Sequence, residues 1–442
     1  MAKKRKLKKK PCITLALFIL LIICIPLIIP KQKDKKEEPK KPDDINEEKP
    51  VEEKPKYTAV ITDTSEQNPE KVKEFFAKGM STEDYKKTIE KLDNYVTKEG
   101  SYNKINYDFE KQMSYSELEQ IYENLSLSDI VKLEIIGQSV DGRNMYSIEI
   151  GNGDTVTMFE SGIHAAEVAS PLFITKYMVD LVNSYENGDE ETIELLKNNK
   201  IVVLPSANPD GYEAAIFGVD ALKNKDLYIA RKADSDSLKY IKSNANGVDL
   251  NRNFPSQTAG LYYTDYDLHY SVSEVKSTAK YSYYPGEYLG SEPETRAIMY
   301  WQNKWISKVK SYVALHSAGR VIYNGKPYLS DNYNDTSNKC ARIVGNVTGY
   351  SVLSKSDEEA GVGNDGTSSE YMAESLSGFK FSSITGRLSS DNYAKYYDTM
   401  KYPNTCVIVI EALEKYTTDL STIKKEYHNY DLDDAYTKVI ER

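Results

Sequence analysis

Histidine and cysteine are both scarce in this chain of 442 residues, with four of each. Cys12 and Cys24 lie inside one apolar run, so only Cys340 and Cys406 remain as a candidate pair. That supply excludes a disulfide-rich secreted scaffold, and the fold must rest on a hydrophobic core. With 40% apolar and 28% charged residues such a core is available. The histidines are His164, His269, His316 and His428, which limits the imidazoles that any metal could recruit. A net positive charge is also lacking beyond the N-terminus. Residues 1–10 hold seven Lys or Arg and no acid, yet the net charge is −10, so the remainder carries about −17. A chain of that sign repels nucleic acid, and any anion site in it has to be a local clamp.

Charge and hydropathy divide the N-terminal quarter. Residues 1–10 form a cytoplasmic basic tail. Residues 12–29 carry no charge and are about long enough to cross a bilayer, giving a transmembrane anchor over 11–30. The basic flank keeps the N-terminus inside and the rest outside. No small-x-small cleavage site follows, which favours an anchor over a cleaved signal peptide. Residues 31–56 are Lys, Glu, Asp and Pro, and read as a disordered charged stalk. Amphipathic spacing then returns over 57–111, a helical N-terminal extension with Ser81 as a candidate cap. A catalytic domain over 112–430 and a C-terminal tail over 431–442 complete the chain.

Within 112–430, VKLEIIGQSVDGRNMYSIEI reads as two alternating strands joined at Asp141-Gly142. The strands TVTMFES, IVVLPSA, SYVALHS and CVIVIEA alternate with apolar helical segments. The expected fold class is therefore α/β, a mixed and mainly buried sheet flanked by helices. Ligands in such sheets gather beyond the strand C-termini. His164, Asn208, Asp210, His316 and Glu411 all fall just after expected strands, which points to one site.

The stretch MFESGIHAAE places His164 and Glu167 three residues apart, so a short helical turn would aim both at one ion. A catalytic zinc needs a third protein ligand and an open position, and His269, His316 and His428 are the remaining imidazoles. His269 sits in a polar, Tyr-rich loop and His428 near the polar C-terminus, and both read as exposed and unrelated.

The ordered blocks GQSVDGR (137–143), GIHAAE (162–167), NPDGY (208–212), GVDLNRNF (247–254), ALHS (314–317) and VIVIE (407–411) resemble the zinc metallocarboxypeptidases of the carboxypeptidase A type, peptidase family M14. The resemblance runs from about Ser114 to Tyr430. It implies one Zn²⁺ per chain held by His164, Glu167 and His316, with Asp249 orienting the first histidine. It further implies Glu411 as general base, with Glu414 as its rival, and Arg231 as the cation facing the oxyanion. Asn251 and Arg252 would clamp the substrate's terminal carboxylate. Some positions depart from the family. Val362 stands where the family's lid tyrosine is expected, Tyr371 reads as structural, and Ser369 falls near the residue that lines the specificity pocket. The implied activity is hydrolysis of C-terminal peptide bonds of extracellular substrates by a surface-anchored bacterial enzyme. A peptidoglycan stem-peptide peptidase of the γ-D-glutamyl–diaminopimelate type, and an inactive surface-binding protein on the same fold, are the alternatives.

Overall fold

Alternation is clearest on either side of Asp141-Gly142, and there the chain forms an antiparallel hairpin of β2 (Val131–Gln138) and β3 (Asn144–Ile150). Gly142 turns it at φ 81°, in the left-handed region that glycine enters without steric penalty. The computed structural model describes residues 94–96, 99–223, 225, 241–254, 286, 290–324, 331–353, 366–377 and 404–442. The expected anchor, the stalk, most of the extension, Arg231, His269 and Val362 lie outside the described residues. Among the described residues no helix is long and apolar enough to cross a membrane.

The remaining strands are β1 (Asn94–Tyr95), β4 (Thr155–Ser161), β5 (Asn199–Leu204), β6 (Val309–Ser317), β7 (Val321–Asn324), β8 (Ser351–Leu353) and β9 (Cys406–Ala412). They form one sheet in the order β1-β2-β3-β5-β4-β6-β9-β7-β8. The four central strands, β5, β4, β6 and β9, run parallel. They are short, β-branched and apolar, as strands covered on both faces require. Their side chains alternate between two cores. Val313, Leu315, Ile408 and Ile410 face one, whereas Tyr312, Ala314 and Val407 face the other.

The first core is roofed by α1 (Tyr115–Leu125), α2 (Ala169–Glu186), α6 (Asp331–Thr348), α8 (Leu420–Asn429) and α9 (Leu432–Glu441). Ser114 and Glu117 close a capping box at the start of α1, each accepting from the other's backbone N–H, at 3.3 and 2.8 Å. The second core lies beneath α5 (Pro293–Trp305) and α7 (Ser368–Ser377). Its largest member, Trp301, is fully buried and donates its indole N–H to Ser147 at 3.0 Å. Truncating it to alanine would cost about 3–5 kcal/mol through the cavity left behind.

Two expected boundaries move. Residues 431–442 are not a tail: Leu432, Ala435, Tyr436, Val439 and Ile440 recur at helical spacing and are buried in the first core. At the other end, Asn94–Tyr95 pairs with β2, and Tyr107, Phe109 and Met113 join the first core. The last part of the 57–111 segment thus belongs to the catalytic domain, and its described portion is strand and irregular chain rather than helix.

Candidate metal centre

Parallel β4, β6 and β9 end together, and His164 and Glu167 follow the first while His316 and Glu411 close the other two. After β4 the chain turns at Gly162 (φ 67°), where a Cβ would press against the Pro171 ring at 2.6 Å. The turn drops His164 and Glu167 into the crevice before α2 begins. His316 is the penultimate residue of β6 and pairs in register with Glu411 of β9. Adjacent strands lie about 4.8 Å apart, so a ligand and a base on neighbouring strands face the same reacting atoms.

The triad closes on the Glu167 carboxylate. His164 Nδ1 lies 2.6 Å from Oε1, His316 Nδ1 lies 2.9 Å from Oε2, and the Ser317 N–H donates to Oε2 at 3.2 Å. The three ligand atoms fall within 4.8 Å of one another, and all three side chains are buried. Two imidazole nitrogens and a carboxylate converging on one point is the protein donor set of a catalytic zinc site, and the residues fit that ion. The other ring nitrogen of His164, Nε2, faces Asp249 Oδ1 at 3.4 Å. A carboxylate there fixes which nitrogen is turned to the metal.

The electrostatics follow from that packing. Burial alone would raise the Glu167 carboxyl, but the His164 and His316 charges outweigh it and hold it well below the carboxylate range. Burial alone would lower the His316 imidazole, whereas Glu167 pushes it up to about 9. Asp249 is likewise buried, and His164, Arg252 and Lys242 hold it low. Glu411 moves the other way: burial raises it, with the Glu167 charge adding and His316 opposing. A half-buried carboxylate with a raised pKa beside the triad is suited to accept a proton. Glu414 is largely exposed, at 74%, and lies 3.7 Å from Arg320, which ties it to the surface.

One loop, residues 241–254, brings the other groups. Its start pairs with the turn after β4, the Ala165 N–H donating to Lys242 O at 3.3 Å and Ala166 to Ile241 O at 2.7 Å. Asp249 then accepts the Asn251 N–H at 3.1 Å, which shapes the short turn Leu250–Arg252. Arg252 donates to Asn251 O at 2.7 Å, and Asn251 Oδ1 accepts the Ser368 N–H at 3.0 Å. Gly366 (φ 74°) lets its backbone approach; a Cβ there would meet Arg252 O at 2.6 Å.

Two expected site residues go elsewhere. Asn208 caps α4 (Pro209–Phe217), accepting the Gly211 N–H at 2.9 Å. Asp210 is buried against Arg143 (2.7 Å), Ser139 and the Asp141 N–H. Both hold the neighbouring turns rather than the triad. His428 is exposed and pairs with Asp108 at 2.6 Å. Tyr371 is buried, its hydroxyl accepting from Asn303 at 2.9 Å, which is a structural use.

Two other groups at the centre were not singled out from the sequence. Lys242 Nζ stands 4.0 Å from Glu167 Oε1, and Glu167 raises its pKa although burial opposes this. Tyr416 hydrogen-bonds Lys242, and burial followed by the Glu167 charge pushes the phenol up to about 12. A lysine five residues before the GVD block and a tyrosine five after the catalytic-position glutamate were the only signals available.

A support joins the ends of β6 and β9. Arg320 donates to both oxygens of Glu426 (3.0 and 2.7 Å) and lies over the Tyr430 ring. Glu426 also accepts the Leu413 N–H at 3.1 Å and the Tyr350 hydroxyl at 2.5 Å. The Gly319 N–H donates to Leu413 O at 2.7 Å. The segments just after His316 and just after Glu411 are thereby fastened to each other.

A family model described as zinc carboxypeptidase matches residues 118–402. The carboxypeptidase N catalytic chain of Rattus norvegicus is 27% identical over 208 residues, covering 45% of this chain and 40% of the relative. The gamma-D-glutamyl-L-diamino acid endopeptidase 1 of Lysinibacillus sphaericus is 28% identical over 257 residues, covering 54% of this chain and 60% of the relative. These matches span about 40–60% of each relative's own length. Among solved structures, bovine thrombin-activatable fibrinolysis inhibitor in complex with a tick carboxypeptidase inhibitor shares the fold. Its TM-score is 0.52 and its identity 21%, over 75% of this chain and 97% of that one.

Proposed function

Because the chain belongs to the zinc carboxypeptidase family, peptidase family M14, we propose that it is a carboxypeptidase removing C-terminal residues from extracellular peptides or proteins. The observation that carries this reading is the convergence of His164 and His316 on Glu167, with Glu411 paired to His316 on the next strand. A zinc ion held by the triad would supply Lewis-acid polarisation of the scissile carbonyl and make water a stronger acid. Glu411 takes the proton of the attacking water and returns it to the leaving amine. Arg252, with Asn251, holds the terminal carboxylate of the substrate, since a planar guanidinium binds a carboxylate through two parallel hydrogen bonds. Arg231 supplies positive charge to the oxyanion, and Lys242, already facing Glu167, adds to it. Asp249 keeps His164 in the ligating orientation. The charge step over residues 1–30 supports a single-pass anchor with the peptidase outside a bacterial cell.

The similarity to the Lysinibacillus endopeptidase favours a second reading, hydrolysis of γ-D-glutamyl–diamino acid bonds in peptidoglycan stem peptides. The purified chain is incubated with a mixed peptide pool and, separately, with isolated cell-wall fragments, and the products are read by mass spectrometry. Successive loss of C-terminal residues from the pool supports the carboxypeptidase. Cleavage confined to wall fragments replaces it with the stem-peptide peptidase, and no cleavage of either contradicts both.

A further inference from the structure

Cys340 and Cys406 are 66 residues apart in sequence, and the catalytic reading uses neither. The fold brings them together. Cys340 lies on the inner face of α6 with Ala341 and Val344, all fully buried. Cys406 opens β9 and is equally buried. One turn before Cys340, Ser337 Oγ accepts the N–H of Val407 at 3.2 Å, so this turn of α6 is docked on the first residues of β9. The two sulfurs are in hydrogen-bond contact, and both are free thiols.

We propose that Cys340 and Cys406 are a built cross-link site, which a disulfide-bearing oxidant converts into a covalent bond between α6 and the strand that carries Glu411. The surroundings polarise the pair. The Cys340 thiol is raised chiefly by its hydrogen bond to Cys406. Burial would raise Cys406 too, but the Cys340 donor, the Arg442 guanidinium, Ser311 and the Tyr312 N–H bring it down to about 7. Arg442 is itself held in place, donating to Lys310 O and Ser311 Oγ at 3.3 Å and to Asn404 O at 3.2 Å. Cys406 is therefore the attacking thiolate and Cys340 the resolving thiol.

The exchange balances without a metal. The Cys406 thiolate attacks one sulfur of a disulfide R–S–S–R, forming a mixed disulfide and releasing RS⁻. The Cys340 thiol loses its proton, attacks Cys406 Sγ and releases the second RS⁻. The two protons of the pair finish on two RSH, so the oxidant gains the two electrons the protein loses. Because both sulfurs are shielded once folding is complete, the exchange belongs to its last step, as α6 closes on a Cys406 already set beside Ser311, Tyr312 and Arg442.

The test uses the full chain, unfolded with reductant and refolded in a mixture of reduced and oxidised glutathione, then alkylated and digested without reduction. The expected product is the peptide holding Cys340 joined to the peptide holding Cys406, lighter than their sum by two hydrogens. Adding reductant should then lower the Tm of the wild type and leave that of Cys340→Ser unchanged. A refolded wild type whose Cys340 and Cys406 are both alkylated, or in which either is joined to Cys12 or Cys24, would overturn the proposal. The wild-type digest decides the matter even if the serine variant fails to fold.

Discussion

Two clusters of buried carboxylates flank the 241–254 loop, and they have opposite acid strengths. In one, Glu167 and Asp249 face His164, His316, Lys242 and Arg252, and both are held low. In the other, Asn244 donates to Glu292 at 2.8 Å and to Glu294 at 3.1 Å, just before and within the first turn of α5. There the acids face each other. Burial, followed by the Asp210 and Glu292 charges, pushes Glu294 up to about 8. The Val140 N–H, at 3.0 Å, supplies a dipole and no full positive charge. Equal burial thus gives different chemistry: an acid ringed by imidazoles and cations is ready for a metal, and an acid ringed by acids retains its proton. In the proposed function the first cluster performs the reaction, while the second anchors the loop that carries Lys242, Asp249, Asn251 and Arg252.

The largest effect should come from the catalytic cluster. Glu411→Gln keeps the shape and loses the basicity, so kcat should fall by about 10²-fold or more while bound zinc is retained. Glu414→Gln should retain full turnover, since its side chain is at the surface. Steady-state kinetics on one peptide decides between them, and the reverse pattern would move the base by three residues.

Next in size is the clamp. Arg252→Ala should lower kcat/KM for free-acid peptides by roughly 30- to 10³-fold, because it leaves a carboxylate unpaired in a buried site. Peptides capped as C-terminal amides should be affected far less. Equal losses on both would make Arg252 a structural residue and remove the reason to expect C-terminal cleavage.

The anchor cluster should respond in stability, with a definite sign. Folded Glu294 titrates above its ordinary 4.5, so the native state binds a proton that the unfolded chain releases. Its contribution is full below about pH 4.5 and is lost as pH rises through about 8. Glu294→Gln mimics the protonated form. The variant should gain roughly 1–3 kcal/mol over the wild type at pH 8.5, and the gap should close towards pH 4.5. Denaturant unfolding at the two pH values measures it, and a gap that widened on acidification would contradict the assignment.

The smallest change tests the support behind the ligand strands. Glu426→Gln weakens a charge-assisted pair with Arg320 but retains an acceptor for Leu413 and Tyr350. A loss of about 1–2 kcal/mol in stability is expected, with zinc content unchanged. Loss of the metal would mean that the clasp also sets the position of His316.

The difference between the two clusters also explains what could be read from the chain. The sheet was legible because its strands alternate or run apolar, and Asp141-Gly142 marks the hairpin locally. The triad was legible as short blocks in order, each with its ligand beside a strand end. Lys242 was not, because a lysine in a polar loop looks the same whether it faces solvent or Glu167. Nor does Glu294 stand out in the sequence, since its partners Asp210, Asn244 and Val140 are far away along the chain. The clasp from Arg320 to Glu426 crosses 106 residues and has no local signature. The C-terminal helix is different: Leu432, Ala435, Tyr436, Val439 and Ile440 show the periodicity plainly, and the boundary was set one helix too early.

Metal content addresses the comparison most directly, because it asks which of the two clusters takes a cation. Wild-type chain, His316→Ala, His428→Ala and Glu294→Gln are purified alike and assayed for zinc. The expected result is about one Zn²⁺ per chain in the wild type, in His428→Ala and in Glu294→Gln, and loss of most of it in His316→Ala, since two ligands rarely retain a catalytic zinc. Equal zinc in His316→Ala and His428→Ala would contradict the assignment of the triad, and with it the reading of the chain as a zinc peptidase acting at this site.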